Sequence, residues 1–140
     1  MNTNIPTALT NLIRNEQERS FKLFSAKHKP GFTDRAGFSE WFTRQLNGQD
    51  FRCYYCQTAI LDIQDLIAKG LLKTRATGYG VRGPVLEVDK CHNELPYSPS
   101  NCVLACYYCN NDKSYTLEAE SYKRFFGPNR KIYFDHLLQK

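Results

Sequence analysis

Two Cys-x-x-Cys pairs, Cys53-Tyr54-Tyr55-Cys56 and Cys106-Tyr107-Tyr108-Cys109, sit 49 residues apart in a chain of 140. Each pair puts two sulfur atoms on one tight turn, so a single ion can take both. Two such turns supply the four soft thiolates that zinc accepts as a tetrahedron at ~2.3 Å. Two disulfides, a redox pair and unrelated buried cysteines are the other uses open to the same residues. A redox motif belongs to a strand–turn–helix setting and needs no second copy. A disulfide framework suits an exported chain too small to fill a core, whereas 41% apolar and 14% aromatic residues are enough to fill one here. Residues 1–10 carry no basic segment followed by an apolar run, so no export signal is expected and a reducing, cytoplasmic compartment follows. No stretch approaches ~18 apolar residues, which excludes a membrane-spanning helix from the expectation. Cys91 and Cys102 stand outside the two pairs and read as small buried residues.

Around these turns the chain reads as mixed helix and short strand. Leu9, Leu12, Ile13, Phe21 and Phe24 recur at helical spacing from Thr7 to Ser25, with Pro6 at the start. Pro30-Gly31 breaks that pattern. Thr33 or Asp34 can cap a second helix carrying Phe38, Trp41, Phe42 and Leu46, ended by Asn47-Gly48. Asp62 to Lys69 predicts a brief helix stopped by Gly70, and Lys73 to Pro84, rich in Gly, Thr and Arg, predicts an irregular loop. Val85–Val88 and Cys102–Ala105 predict two short strands. Asn110 to Phe126 reads as one helix, with Leu117, Ala119, Tyr122, Phe125 and Phe126 inward and Gly127-Pro128 closing it; Ile132 to Leu138 reads as a last helical turn or two. The expected organisation is an N-terminal helical extension over residues 1–50, a zinc-stabilised domain over 51–126 and a tail over 127–140 packed on the core.

The 19 basic and 14 acidic residues leave a charge of +5, which permits a nucleic-acid partner without demanding one. One local excess stands out: Lys69, Lys73, Arg75 and Arg82 lie between Asp65 and Glu87 with no acid among them. They suit either a solvated loop or a phosphate-contacting one.

The stretch Leu86-Glu87-Val88-Asp89-Lys90, continued by Asn101-Cys102-Val103-Leu104-Ala105-Cys106-Tyr107-Tyr108-Cys109-Asn110-Asn111-Asp112-Lys113, resembles the HNH endonuclease family. The likeness spans about 60 residues, from Arg52 to Lys113, and leaves the N-terminal helices and the C-terminal tail outside. It implies an α+β fold with a small ββα-metal, treble-clef-like core, in which two antiparallel strands and a helix hold one divalent cation and the two CxxC turns hold a structural zinc. By the same resemblance Asp89 is a ligand of the catalytic cation and Asn110 the second protein ligand. Asn101 would hold the connecting loop and orient the base, and Lys113 would sit near the scissile phosphate. Lys73, Arg75 and Arg82 join Lys113 as candidate nucleic-acid contacts. Mg²⁺ or Mn²⁺ would take carboxylate and amide oxygens and keep positions for water and phosphate. DNA is the expected partner, with RNA the other nucleic acid the motif admits; no membrane is implied, and the oligomeric state is not legible. Small proteins of this family occur in phage and mobile elements.

One position departs from the pattern. The family places a general-base His after the strand-ending Asp, and this chain has Lys90. At pH 7 an ordinary lysine is a free amine in about one molecule in two thousand, and Asp89 beside it favours the charged form further. A charged Lys90 suits phosphate binding or stabilisation of developing negative charge. His92 is a second candidate base: on a continuing strand it shares a face with position 90, some 6.5–7 Å along. His28 and His136 lie outside the motif. Two readings follow, an HNH-type endonuclease with an altered base and a catalytically degenerate zinc-stabilised nucleic-acid-binding module. A zinc-folded protein-interaction domain is a third.

Overall fold

The computed structural model describes residues 7–26, 31–32 and 34–140. Pro6, His28, Pro30, Thr33 and the side chain of Phe24 lie outside them. A short 3-10 turn, Thr7–Leu9, leads into α1 (Thr10–Ala26), followed by α2 (Arg35–Gly48) and α3 (Ile60–Ala68). Then come β1 (Arg75–Thr77), β2 (Gly80–Arg82), β3 (Leu86–Lys90), β4 (Cys102–Cys106), α4 (Tyr107–Lys113), α5 (Ala119–Phe125) and α6 (Gly127–Leu138).

The centre of this α+β fold is the antiparallel pair β3–β4, with Leu86 opposite Cys106 and Lys90 opposite Cys102. Every residue of β4 is buried, as a Cys-Val-Leu-Ala-Cys run with no polar side chain requires. Helix α4 follows β4 without a linker and packs on both strands, α1 packs on β3 and β2, and α2 packs on β4. Asp34 caps α2 by accepting the Gly37 N–H at 2.6 Å, and the buried stripe Phe38, Trp41, Phe42 and Leu46 faces the core. Phe32 closes the cluster with its ring centroid 5.0 Å from those of Phe38 and Trp41. Just past α2, the Gln49 amide takes both backbone groups of Leu104, donating to its carbonyl at 2.8 Å and accepting its N–H at 3.0 Å. The Leu104 carbonyl also accepts the Tyr54 N–H, so the side chain's particular contribution is a partner for the buried Leu104 N–H.

Three local expectations are corrected. The segment 73–84 is not irregular: β1 and β2 form a hairpin with Arg75 opposite Arg82, its turn tied by Thr77 Oγ1, which donates to the Gly80 carbonyl and accepts the Tyr79 N–H. The single helix expected over 110–126 is two, because Ser114 adopts φ 51° and Asn93 takes the Tyr115 and Leu117 carbonyls from across the chain. Leu117, Ala119 and Tyr122 turn inward, whereas Phe125 and Phe126 stay exposed.

Gly127-Pro128 opens α6 rather than closing α5. The reason for glycine is proximity: a Cβ at 127 would lie 2.2 Å from the Tyr55 carbonyl oxygen in the first cysteine turn. Gly127→Ala is therefore expected to push α6 off that turn and cost about 1–3 kcal/mol, read as a lowered urea midpoint with unchanged slope.

Candidate active site and metal centre

The two cysteine turns meet. The four sulfurs of Cys53, Cys56, Cys106 and Cys109 all lie within 4.8 Å of one another, every residue is buried, and the Cys56 and Cys106 sulfurs are 4.0 Å apart. A tetrahedron with ~2.3 Å metal–sulfur bonds has edges of about 3.8 Å, so the cluster has the size a bound zinc requires. Backbone N–H groups are already aimed at the sulfurs: Tyr55 and Cys106 donate to Cys53, at 3.4 and 3.3 Å, and Cys109 donates to Cys106 at 3.3 Å. These donors favour thiolates. Burial pushes the Cys106 thiol far above its ordinary range, while hydrogen bonds from Cys106, Cys109 and Cys53 draw Cys56 down.

The first turn also reaches the second candidate site. Tyr55, between the two cysteines, donates its hydroxyl to Asp89 Oδ2 at 2.6 Å. Asp89 is the penultimate residue of β3, in which Glu87 and Asp89, two residues apart, share one face. Helix α4 lies over that face and supplies partners one turn apart. Asn110 donates its amide N–H to Glu87 Oε1 at 2.9 Å, and Lys113 sits 3.2 Å from Asp89 Oδ2. Burial raises the Asp89 pKa, opposed by the Tyr55 and Lys113 hydrogen bonds and charge. Asp89, Glu87 and Asn110 line one cleft of about 630 Å³, whose walls also include Arg82, Lys90 and Tyr97.

Lys113 is fully buried. Its ammonium also donates to the Lys90 carbonyl at 3.1 Å and to Asn93 Oδ1 at 3.4 Å. Lys113→Met is expected to cost about 3–5 kcal/mol by leaving a carboxylate buried without its counter-charge, and Asp89→Asn in the same chain to restore part of that loss. Urea denaturation of the two single variants and the double variant reads both numbers.

Lys90 lines the cleft, but its ammonium donates to the Asn93 carbonyl at 2.9 Å and lies 5.0 Å from the Tyr97 ring centroid. His92 does not line the cleft; its side chain is 62% exposed, with Nδ1 3.8 Å from Glu118. Buried Asn101 holds the connecting loop, accepting the His92 N–H at 3.0 Å and donating to the carbonyls of His92, Leu95 and Pro96. Of the four cations considered for nucleic acid, Lys73 and Arg75 are exposed, Arg82 is engaged by Glu87, and Lys113 is buried on Asp89.

Sequence reasoning missed Glu87, Tyr55 and Asn93. Glu87 had a signal, the period-two spacing to Asp89 on a strand. Tyr55 and Asn93 had none, because their partners lie 34 residues away in the first case and 20 in the second. Sequence also gave no sign that α1 reaches the site. Glu87 is 1% exposed and carries a bidentate Arg82 guanidinium at 2.9 and 2.7 Å. Arg19 of α1 lies 3.6 Å away and is itself held by Glu16 at 2.7 Å. Ser20 donates to the same Glu16 oxygen at 2.7 Å, yet burial still raises the Glu16 pKa.

No protein-family model matches the sequence, and no curated protein matches it. Among solved structures, the rare-cutting HNH restriction endonuclease PacI is similar over 89% of this chain and 80% of its own, with a TM-score of 0.67 at 20% identity. The chain therefore has the fold of an HNH endonuclease, with a four-cysteine cluster able to hold a metal ion such as zinc.

Proposed function

We propose that this protein is an HNH-type endonuclease that hydrolyses phosphodiester bonds in DNA with Mg²⁺ or Mn²⁺, and that its four-cysteine centre holds a structural zinc. The observation that carries the reading is the convergence of Asp89 and Asn110 on one cleft wall, directly beside the cysteine centre, in a fold shared with an HNH restriction endonuclease. Carboxylate and amide oxygens are the donors that hard divalent cations take, so this donor set fits. When bound, the cation would polarise a phosphoryl oxygen and stabilise the leaving oxygen.

The chain's own residues do the positioning. Tyr55 and Lys113 orient the Asp89 carboxylate. Asn101 holds the loop after β3, and Lys90 clamps the same loop through Asn93 and Tyr97. Of the four candidate cations, Lys73 and Arg75 are the exposed ones and would meet DNA phosphates with a salt-dependent contribution.

A second reading, a catalytically degenerate DNA-binding module, is favoured by the engagement of Lys90, the residue at the usual base position. The discriminating experiment is incubation of supercoiled plasmid with the zinc-loaded protein in Mg²⁺, Mn²⁺ or EDTA. Metal-dependent nicking supports the nuclease; retarded but intact plasmid in all three supports the module.

A further inference from the structure

The carboxylate best placed to join Asp89 and Asn110 is already taken by a cation of the protein itself. Glu87 is 1% exposed, faces the same cleft as Asp89 and is bonded to Asn110. Arg82 grips both of its oxygens. Two features make this grip reversible in a way the Lys113–Asp89 pair is not. The Arg82 side chain is 24% exposed, against 0% for Lys113, and it sits on the short β1–β2 hairpin instead of in the packed helix α4. Its guanidinium also lies 4.6 Å from the centroid of the Tyr107 ring, a cation–π platform that can keep it in place once its carboxylate is withdrawn. Glu87 is not left bare by that withdrawal, because Arg19 remains 3.6 Å away, braced from behind by Glu16.

We propose that Glu87 is a third oxygen ligand for the divalent cation, and that Arg82 is a latch which occupies Glu87 until the cation displaces it. A divalent ion and a bidentate guanidinium compete for the same two oxygens, so binding of one requires release of the other. The released guanidinium stays in the cleft beside Tyr107, where a DNA phosphate is its natural new partner. The latch thereby couples loading of the metal to readiness for the phosphate. This inference rests on the cation site of the proposed function and adds to it a ligand and a competitor.

The test measures Mn²⁺ binding by calorimetry and by loss of the free-ion electron paramagnetic resonance signal, on the full zinc-loaded chain without DNA. Arg82→Gln is expected to tighten Mn²⁺ about tenfold, the equivalent of a modest net charge-assisted interaction removed from competition. Glu87→Gln is expected to weaken it by about tenfold or more. In the Glu87→Gln background, Arg82→Gln should change nothing, since the latch acts only through Glu87. Arg75, opposite Arg82 in the hairpin, controls for charge alone. Equal tightening by Arg75→Gln and Arg82→Gln, or undiminished tightening in the Glu87→Gln background, overturns the latch. If Glu87→Gln fails to retain zinc, the comparison of Arg82→Gln with Arg75→Gln decides alone. Asp89→Asn separates this idea from the one beneath it. Weaker Mn²⁺ in Asp89→Asn with no effect of Glu87→Gln or Arg82→Gln sinks the latch and keeps the cation site. No effect of Asp89→Asn, or no Mn²⁺ bound by either the parent or Arg82→Gln, sinks both.

Discussion

Stripping the metal from the four-cysteine centre is expected to abolish the cooperative unfolding transition of this protein, and Cys106→Ser to prevent stable folding. The centre joins two turns separated by about 50 residues, and a cross-link of that span is worth about 4 kcal/mol in loop-closure entropy alone. Metal ligation at a structural zinc site contributes an apparent ~10–16 kcal/mol at neutral pH, comparable to the whole stability of a typical domain. The cysteine turns are also structural hubs here. Tyr54 donates its N–H to the Leu104 carbonyl at 3.0 Å, Tyr55 reaches Asp89, and Gly127 of α6 lies against the Tyr55 carbonyl. Loosening the first turn therefore releases β4, the candidate active site and α6 together. Elemental analysis should find about one zinc per chain, and circular dichroism during chelation should report the collapse. A chain that keeps its melting transition with no bound metal would show that the apolar core suffices without the cross-link.

The second large effect is on cleavage. Asp89→Asn is expected to lower metal-dependent plasmid nicking by at least ~10²-fold, with some loss of stability because the buried Lys113 ammonium loses its counter-charge. The choice of asparagine matters. Asp89 accepts from Tyr55 and pairs with a Lys113 that has no exposed surface, and the carbonyl oxygen of asparagine can still accept from both. Alanine would remove the acceptor of both groups as well as the counter-charge and confuse lost chemistry with lost structure. Parental zinc content and a cooperative melting transition above the assay temperature, with nicking gone, assign the loss to the cation site. Nicking that survives Asp89→Asn would move the chemistry elsewhere in the molecule.

The features legible in the sequence are those whose cause is local. The cysteine pairs are visible because two sulfurs on one turn need only a spacing, and their partnership follows from the number of ligands one ion takes. Helix α2 is visible from its cap and its stripe, Asp34 followed by Phe38, Trp41, Phe42 and Leu46. Strand β4 is visible as a short apolar run and the first half of β3 from the β-favouring Val85–Val88, while the pairing continues through the charged Asp89 and Lys90; the HNH-type fold follows from the motif they carry. The hairpin β1–β2 escaped because strands of three residues with mostly exposed side chains leave no burial pattern to read. The break between α4 and α5 escaped because Asn93, an asparagine with no distinguishing local context, makes it from another part of the chain.

The amino-acid order by itself determined the two cysteine pairs able to hold one ion and the Asp89-Lys90 step within the motif that resembles the HNH family, since each is a matter of residue type at a short spacing. Only the tertiary structure decided how the charges are shared. It set Lys113 on Asp89, Lys90 on the loop carbonyl of Asn93, and Arg82 with Arg19 around Glu87. A side chain's formal charge is written in the sequence, but its partner is chosen by burial. A carboxylate taken out of water must be neutralised by whichever cation the packing brings within reach, and that cation can come from any distance along the chain.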